Sequence, residues 1–237
     1  MDSLLSSRLE TGQPGAATEP VQRCWIARRR RIARQVNDGF DWGNMNILDS
    51  AVLHFVNQFS QQPWTCNKLV LFLANNHLLK GGVLVSIIWW MWFENKKYRS
   101  HNREHIVATL FSCVVAMTLA RGLALTLPFR LRPLYEEGLS FRLPYGMKST
   151  VLEGWSSFPS DHAVLFFSLC TGLCFISKKV GAFALLYTTM FIAFPRIYLG
   201  LHYPSDIFVG AIIGITISIL GNIYFTHRNS LQAITNS

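Results

Sequence analysis

The sequence predicts an all-α, polytopic membrane bundle of five or six spans, with amphipathic interfacial helices before the first confident span. Half of the 237 residues are hydrophobic, 15% are charged and 13% are aromatic, too apolar for a soluble domain with one ordinary core. Five apolar segments approach the ~20 residues that a membrane helix needs, at about 76 to 94, 105 to 127, 162 to 178, 180 to 200 and 206 to 225. Most ionisable residues gather at the ends of these segments, where charge is tolerated if something pairs with it or water reaches it.

Residues 1–45 are polar, with Gly12, Pro14, Gly15 and Pro20 followed by the basic cluster Arg28 to Arg31 and Arg34, and read as a mobile tail that touches water or lipid headgroups. The first forty residues have no apolar central region, so no cleavable signal peptide is expected. A membrane-embedded domain over 46–226 follows, then a short polar tail over 227–237. Between 47 and 73, Ile47, Leu48, Val52, Leu53, Phe55, Val56 and Phe59 recur at roughly helical spacing before Pro63 interrupts, a pattern that reads as amphipathic and interfacial. Lys80 and Arg121 stand near the ends of the first and second spans, where long side chains reach the interface. The net charge of +9 is spread in short basic clusters between apolar runs, which fits membrane topology and argues against nucleic acid. The five cysteines are an odd number, with three inside apolar runs, so no disulfide framework is expected, and Cys170 and Cys174 read as packing residues.

Alternating direction decides which ends meet. The second span ends near Pro128, the third begins at His162, the fourth ends near Gly200 and the fifth begins at Asp206, so these four ends share one face. Arg132, Ser160, His162, Arg196, His202 and Asp206 therefore gather although they are far apart in the chain. The opposite face receives Lys96, Lys97, Arg99, Arg103, Lys178, Lys179 and Arg228, more positive charge than Arg130, Arg132, Arg142 and Lys148 bring to the site face. The positive-inside tendency then puts the site on the extracytoplasmic face of the cell membrane. Five spans put the basic tail on that same face, whereas a sixth crossing over 47–73 moves it to the other.

The gathered residue types suit phosphate chemistry. Pro204 and Ser205 start the last helix, so His202 lies just before it and Asp206 in its first turn, where a carboxylate can fix an imidazole tautomer and leave the other nitrogen free. Pro159-Ser160-Asp161-His162 opens the third span, where free backbone amides, the helix dipole and a serine hydroxyl attract an anion and His162 can protonate a departing oxygen. Arg132 and Arg196 match phosphate oxygens bidentately and keep their charge. No cluster with metal-ligand spacing appears, so neither a metal nor another cofactor is expected.

Arg132-Pro133, then Pro159-Ser160-Asp161-His162, then Arg196 with His202 six residues on and Asp206 four further, resembles the three-part signature of the type 2 phosphatidic acid phosphatase superfamily, which includes bacterial undecaprenyl diphosphate phosphatases and vanadium haloperoxidases. The resemblance spans about residues 47 to 225 and implies a membrane phosphatase whose catalytic residues are His202 as nucleophile, Asp206 as its orienting partner and His162 as general acid. Arg132, Ser160 and Arg196 would hold the phosphate of a lipid substrate. Leu125 stands where the family usually has a lysine, with Arg130 ranked before Arg121 as its substitute; Asp161 replaces a usual glycine and Pro195 a usual serine. The favoured reading is a metal-independent phosphatase acting on an isoprenoid diphosphate through a phosphohistidine. Phosphatidic acid and phosphatidylglycerol phosphate are the neighbouring substrates, and a protein that binds or flips anionic lipids without turnover is the competing class.

Overall fold

The computed structural model describes residues 47–59, 64–94, 98–136, 139, 141–142 and 155–235, and every regular element among them is helical. The basic tail expected over 1–45 lies outside the described residues.

Helix α1 (Ile47–Phe59) is amphipathic, as its spacing predicts. Asp49, Leu53 and Val56, at positions i, i+4 and i+7, are buried on one side. Val56 packs with Tyr198, Leu199 and Leu201, while Ile47, Leu48, Phe55 and Phe59 stay exposed on the outer side. With 13 residues α1 is about 20 Å long, too short for a straight crossing of a hydrocarbon core of ~30 Å.

Helix α2 (Trp64–Asn75), a π-helical turn (Leu78–Gly82) and α3 (Val83–Phe93) follow, with a 66° bend between Asn67–Asn75 and Leu78–Phe93. The Asn76 side chain accepts the Leu79 amide at 3.1 Å, satisfying a donor that the bend frees. Helix α4 (Arg99–Thr126) is long and uninterrupted, and ends before Pro128. Helix α5 (Asp161–Ile176) meets α6 (Lys178–Thr188) through one extended residue, Ser177. A second π turn (Thr189–Ala193) carries α6 into α7 (Phe194–Tyr198), whose start holds Pro195, a residue that donates no amide hydrogen bond. Helix α8 (Pro204–Thr235) closes the chain and stays helical beyond 227, where the sequence reading placed a polar tail.

Helix α5 is the axis of the bundle, packed on α4, α6 and α8. Leu84, Met91, Ile106, Phe166, Leu173 and Ile192 form its largest apolar core. Close approach depends on small residues, as between membrane helices generally. A Cβ on Gly214 of α8 would stand 2.3 Å from the Val164 carbonyl oxygen of α5. Gly214→Val is therefore expected to cost about 3 kcal/mol by forcing the two helices apart, read as a lower unfolding midpoint of the detergent-solubilised protein.

By length and composition three helices can cross a membrane, Arg99–Thr126, Lys178–Tyr198 and Pro204–Arg228, or four if the bent pair counts as one span. The five or six spans predicted are not confirmed by this count over the described residues. Helix α5 has 16 residues, about 24 Å, and the segment over 47–73 is divided between α1 and the bent pair. The convergence of helix ends does not need the higher count. The Ser160 amide donates to the Asp206 carbonyl at 3.3 Å, joining the starts of α5 and α8, and the Leu134 amide donates to Gly200 at 3.1 Å, joining the segment after α4 to the end of α7. Gly200 has φ +64, and a Cβ there would lie 2.7 Å from the Phe141 ring, so the turn needs glycine.

Candidate active site

His202 sits in the turn between α7 and α8 and is 4% exposed. Its Nδ1 lies 2.8 Å from the Ser157 carbonyl oxygen. A carbonyl only accepts, so Nδ1 carries the hydrogen and Nε2 keeps its lone pair. Nε2 faces Nη1 of Arg132 at 3.4 Å. The Asp206 carboxylate is 3.9 Å from Nδ1, beyond hydrogen-bond length, and its Oδ2 accepts the Tyr203 amide at 2.9 Å as the cap of α8. The bond that sets the tautomer thus comes from Ser157, and Asp206 contributes charge, unlike the direct orienting bond expected from the sequence. Burial pushes the His202 imidazole below its ordinary pKa; Asp206 opposes the shift, and Arg132 and Arg196 reinforce it.

Arg132 is held rigidly. Its Nη1 donates to the Leu201 carbonyl at 2.6 Å, its Nε to Trp155 at 3.3 Å and its Nη2 to Ser156 at 3.3 Å. Arg196 Nη2 lies 2.7 Å from His162 Nε2, which therefore accepts. Both guanidiniums are buried, and among the described residues neither touches a carboxylate. Ser160, at the N-cap of α5, is 1% exposed, and its Oγ has no hydrogen-bond partner among the described residues. Buried charges without acids and a buried hydroxyl without a partner are costly unless an anion completes them. A small cavity joins these polar groups to apolar walls: Ser160, His162 and Arg196 line one part, and Phe167, Ile192 and Ile207 another.

Two expected substitutes for the missing lysine are engaged elsewhere. Arg130, expected among the phosphate-binding residues, donates through Nη1 to Asp206 and to Ser205 Oγ at 2.9 Å, and through Nη2 to Asp49 at 2.9 Å. Its guanidinium also lies 4.0 Å from the Tyr203 ring centroid. Two buried carboxylates demand that charge, so Arg130 stands behind His202 rather than at the phosphate. Arg121 pairs with Asp161 at 2.6 Å and lies over Trp155, so the extra acid in the second motif is answered by an arginine one helix away. Leu125 is 69% exposed and points away from the site.

The structure therefore brings together Arg132, Ser160, His162, Arg196, His202 and Asp206, and it adds Ser157 and Asp49. The role of Ser157 is played by a backbone carbonyl, which no residue type signals. Asp49 had a readable signal: it is an acid in register with Leu53 and Val56 on the inner face of an amphipathic helix.

The family model described as the PAP2 superfamily matches residues 126–230, a window that holds all three motifs. Within that window the chain is similar to the PAP2 superfamily. It is 28% identical over 168 residues to the bacitracin transport permease protein BcrC of Bacillus licheniformis, covering 71% of this chain and 76% of the relative. It is 21% identical over 185 residues to the undecaprenyl-diphosphatase BcrC of Bacillus subtilis, covering 78% of this chain and 86% of that one. In fold the chain is similar to the crystal structure of a transmembrane PAP2 type phosphatidylglycerolphosphate phosphatase from Bacillus subtilis, with a TM-score of 0.51, 18% identity, and coverage of 86% of this chain and 94% of that one. The protein has the fold of a multi-pass membrane protein and is similar, over the window that holds its three motifs, to the PAP2 superfamily.

Proposed function

We propose that this PAP2 protein hydrolyses an isoprenoid diphosphate, with undecaprenyl diphosphate as the first candidate, through a phosphohistidine and without a metal ion. The observation that carries the reading is the unprotonated Nε2 of His202, its tautomer set by the Ser157 bond and its lone pair facing Arg132, one of two buried arginines that meet no carboxylate among the described residues. The terminal phosphate sits between Arg132 and Arg196, takes the unpartnered Ser160 hydroxyl and meets the amide end of α5. Its arrival displaces Arg196 from His162, which takes up a proton. Nε2 of His202 attacks phosphorus, the bond to the bridging oxygen breaks, and His162 protonates the departing lipid phosphate. His162, now neutral, removes a proton from water, which attacks the phosphohistidine and releases inorganic phosphate with His202 restored.

The isoprenoid choice draws support from the undecaprenyl-diphosphatase among the relatives. We place the site at the extracytoplasmic face of the cell membrane, because the opposite helix ends carry Arg99, Arg103, Lys178 and Lys179. Phosphate release from undecaprenyl diphosphate, phosphatidic acid and phosphatidylglycerol phosphate, each with and without EDTA, tests the reading. The expected result is the highest kcat/KM on the diphosphate, unchanged by the chelator. No release from any lipid overturns the phosphatase reading, loss with EDTA overturns the metal-free one, and preference for a glycerolipid reassigns the substrate.

A further inference from the structure

We propose that Asp49, on the amphipathic helix α1, is a positioning residue of the reaction: acting through Arg130, it keeps a surplus negative charge beside His202. The inference rests on the phosphohistidine reading above. Asp49 lies outside the 126–230 window that carries the family motifs, yet it is 1% exposed and all its bonds reach the site. Its Oδ1 accepts the Ser205 amide at 2.9 Å, and its Oδ2 accepts the Ser205 hydroxyl at 2.6 Å and Nη2 of Arg130 at 2.9 Å. The other arm of Arg130 binds Asp206, the carboxylate nearest to Nδ1 of His202. A continuous line of charge therefore runs from α1 through Arg130 and Asp206 to the imidazole.

Charge counting gives that line its purpose. Asp49, Arg130 and Asp206 together carry one net negative charge; without Asp49, Arg130 would cancel Asp206. His202 becomes a cation once its Nε2 binds phosphorus, and the other groups facing it are unfavourable to a cation: Arg132 from the segment after α4 and Arg196 from α7, with His162 of α5 close by. The negative charge that offsets them is set by a residue on α1. A purely structural Asp49, clamping α1 to the start of α8, would affect stability but not the charge on the reacting ring.

The test measures kcat, KM and the pH dependence of kcat/KM for wild type, Asp49→Asn and the double variant Asp49→Asn/Arg130→Gln on the preferred lipid phosphate, each normalised to folded protein. Asparagine keeps the shape and an acceptor for Ser205 but removes the charge. The expected result for Asp49→Asn is a kcat about tenfold lower with KM within about twofold, and an acid limb moved to lower pH, because added positive charge favours the neutral imidazole. The double variant restores one net negative charge, so its acid limb is expected to return to the wild-type position with part of the lost kcat. An unmoved acid limb in Asp49→Asn overturns the inference, as does a double variant whose limb stays with the single one. Wild type without turnover overturns the phosphatase reading and this inference with it, whereas an active wild type beside an indifferent Asp49→Asn overturns the inference alone.

Discussion

Replacing His202 with alanine is expected to lower phosphate release by at least ~10³-fold, about 4 kcal/mol of transition-state stabilisation, and to abolish the phosphoenzyme. The geometry makes this loss hard to bypass. Nε2 is the basic atom that faces Arg132, and the Ser157 carbonyl sets the tautomer that leaves it unprotonated. His162→Ala is expected to behave differently, since His162 serves the leaving group. A substrate with a good leaving group, such as p-nitrophenyl phosphate, should restore much of the turnover of the His162 variant and none of that of the His202 variant. The check is phosphate release on both substrates, with base-quenched labelling because phosphohistidine is labile in acid. A labelled phosphoenzyme in His202→Ala, or equal rescue of both variants, overturns the assigned roles. The depressed pKa of His202 adds a pH prediction: burial favours the neutral imidazole, so the acid limb of kcat/KM should lie below the ~6.5 of an ordinary histidine.

Much of this site was legible in the sequence because it lies where apolar runs stop. A span cannot hide Arg132, His162 or Arg196 in hydrocarbon, so their positions at helix ends, with alternating direction, already imply a shared pocket. The helical class followed from the same apolar runs. Other features have no local signature. The partner of His202 is a backbone carbonyl, and any residue type at 157 could supply it. Arg130 was ranked as the substitute for the missing lysine because it lies beyond the apolar span; its engagement elsewhere depends on Asp49, which is 81 residues away in the chain. Pairing of that range is fixed by packing rather than spacing. The span count of five or six is not confirmed, because hydropathy measures how apolar a segment is and not whether its helix is straight or long, as the 66° bend and the 16-residue α5 illustrate.

Arg132 and Arg196 should not tolerate lysine equally, and the difference follows from how each is held. Three carbonyls, of Leu201, Trp155 and Ser156, grip the Arg132 guanidinium and orient its plane toward His202 Nε2. A lysine ammonium there has the charge but too few donors in the wrong plane, leaving buried carbonyls unsatisfied as well as loosening the phosphate. Arg132→Lys is therefore expected to lower kcat/KM by about 10²-fold or more, near 3 kcal/mol, mostly in kcat because in-line alignment of phosphorus with Nε2 is lost. Among the described residues Arg196 has a single side-chain hydrogen bond, to His162 Nε2 at 2.7 Å, which the incoming anion is expected to replace. Its lysine variant keeps a mobile charge at the cavity and should lose only about tenfold, mostly as a higher KM. Inorganic phosphate supplies the independent readout: its inhibition constant should rise in both variants, since both charges face the anion. If phosphate inhibits Arg132→Lys as strongly as wild type, that arginine orients the histidine without holding substrate, and the anion site shrinks to Arg196, Ser160 and the start of α5.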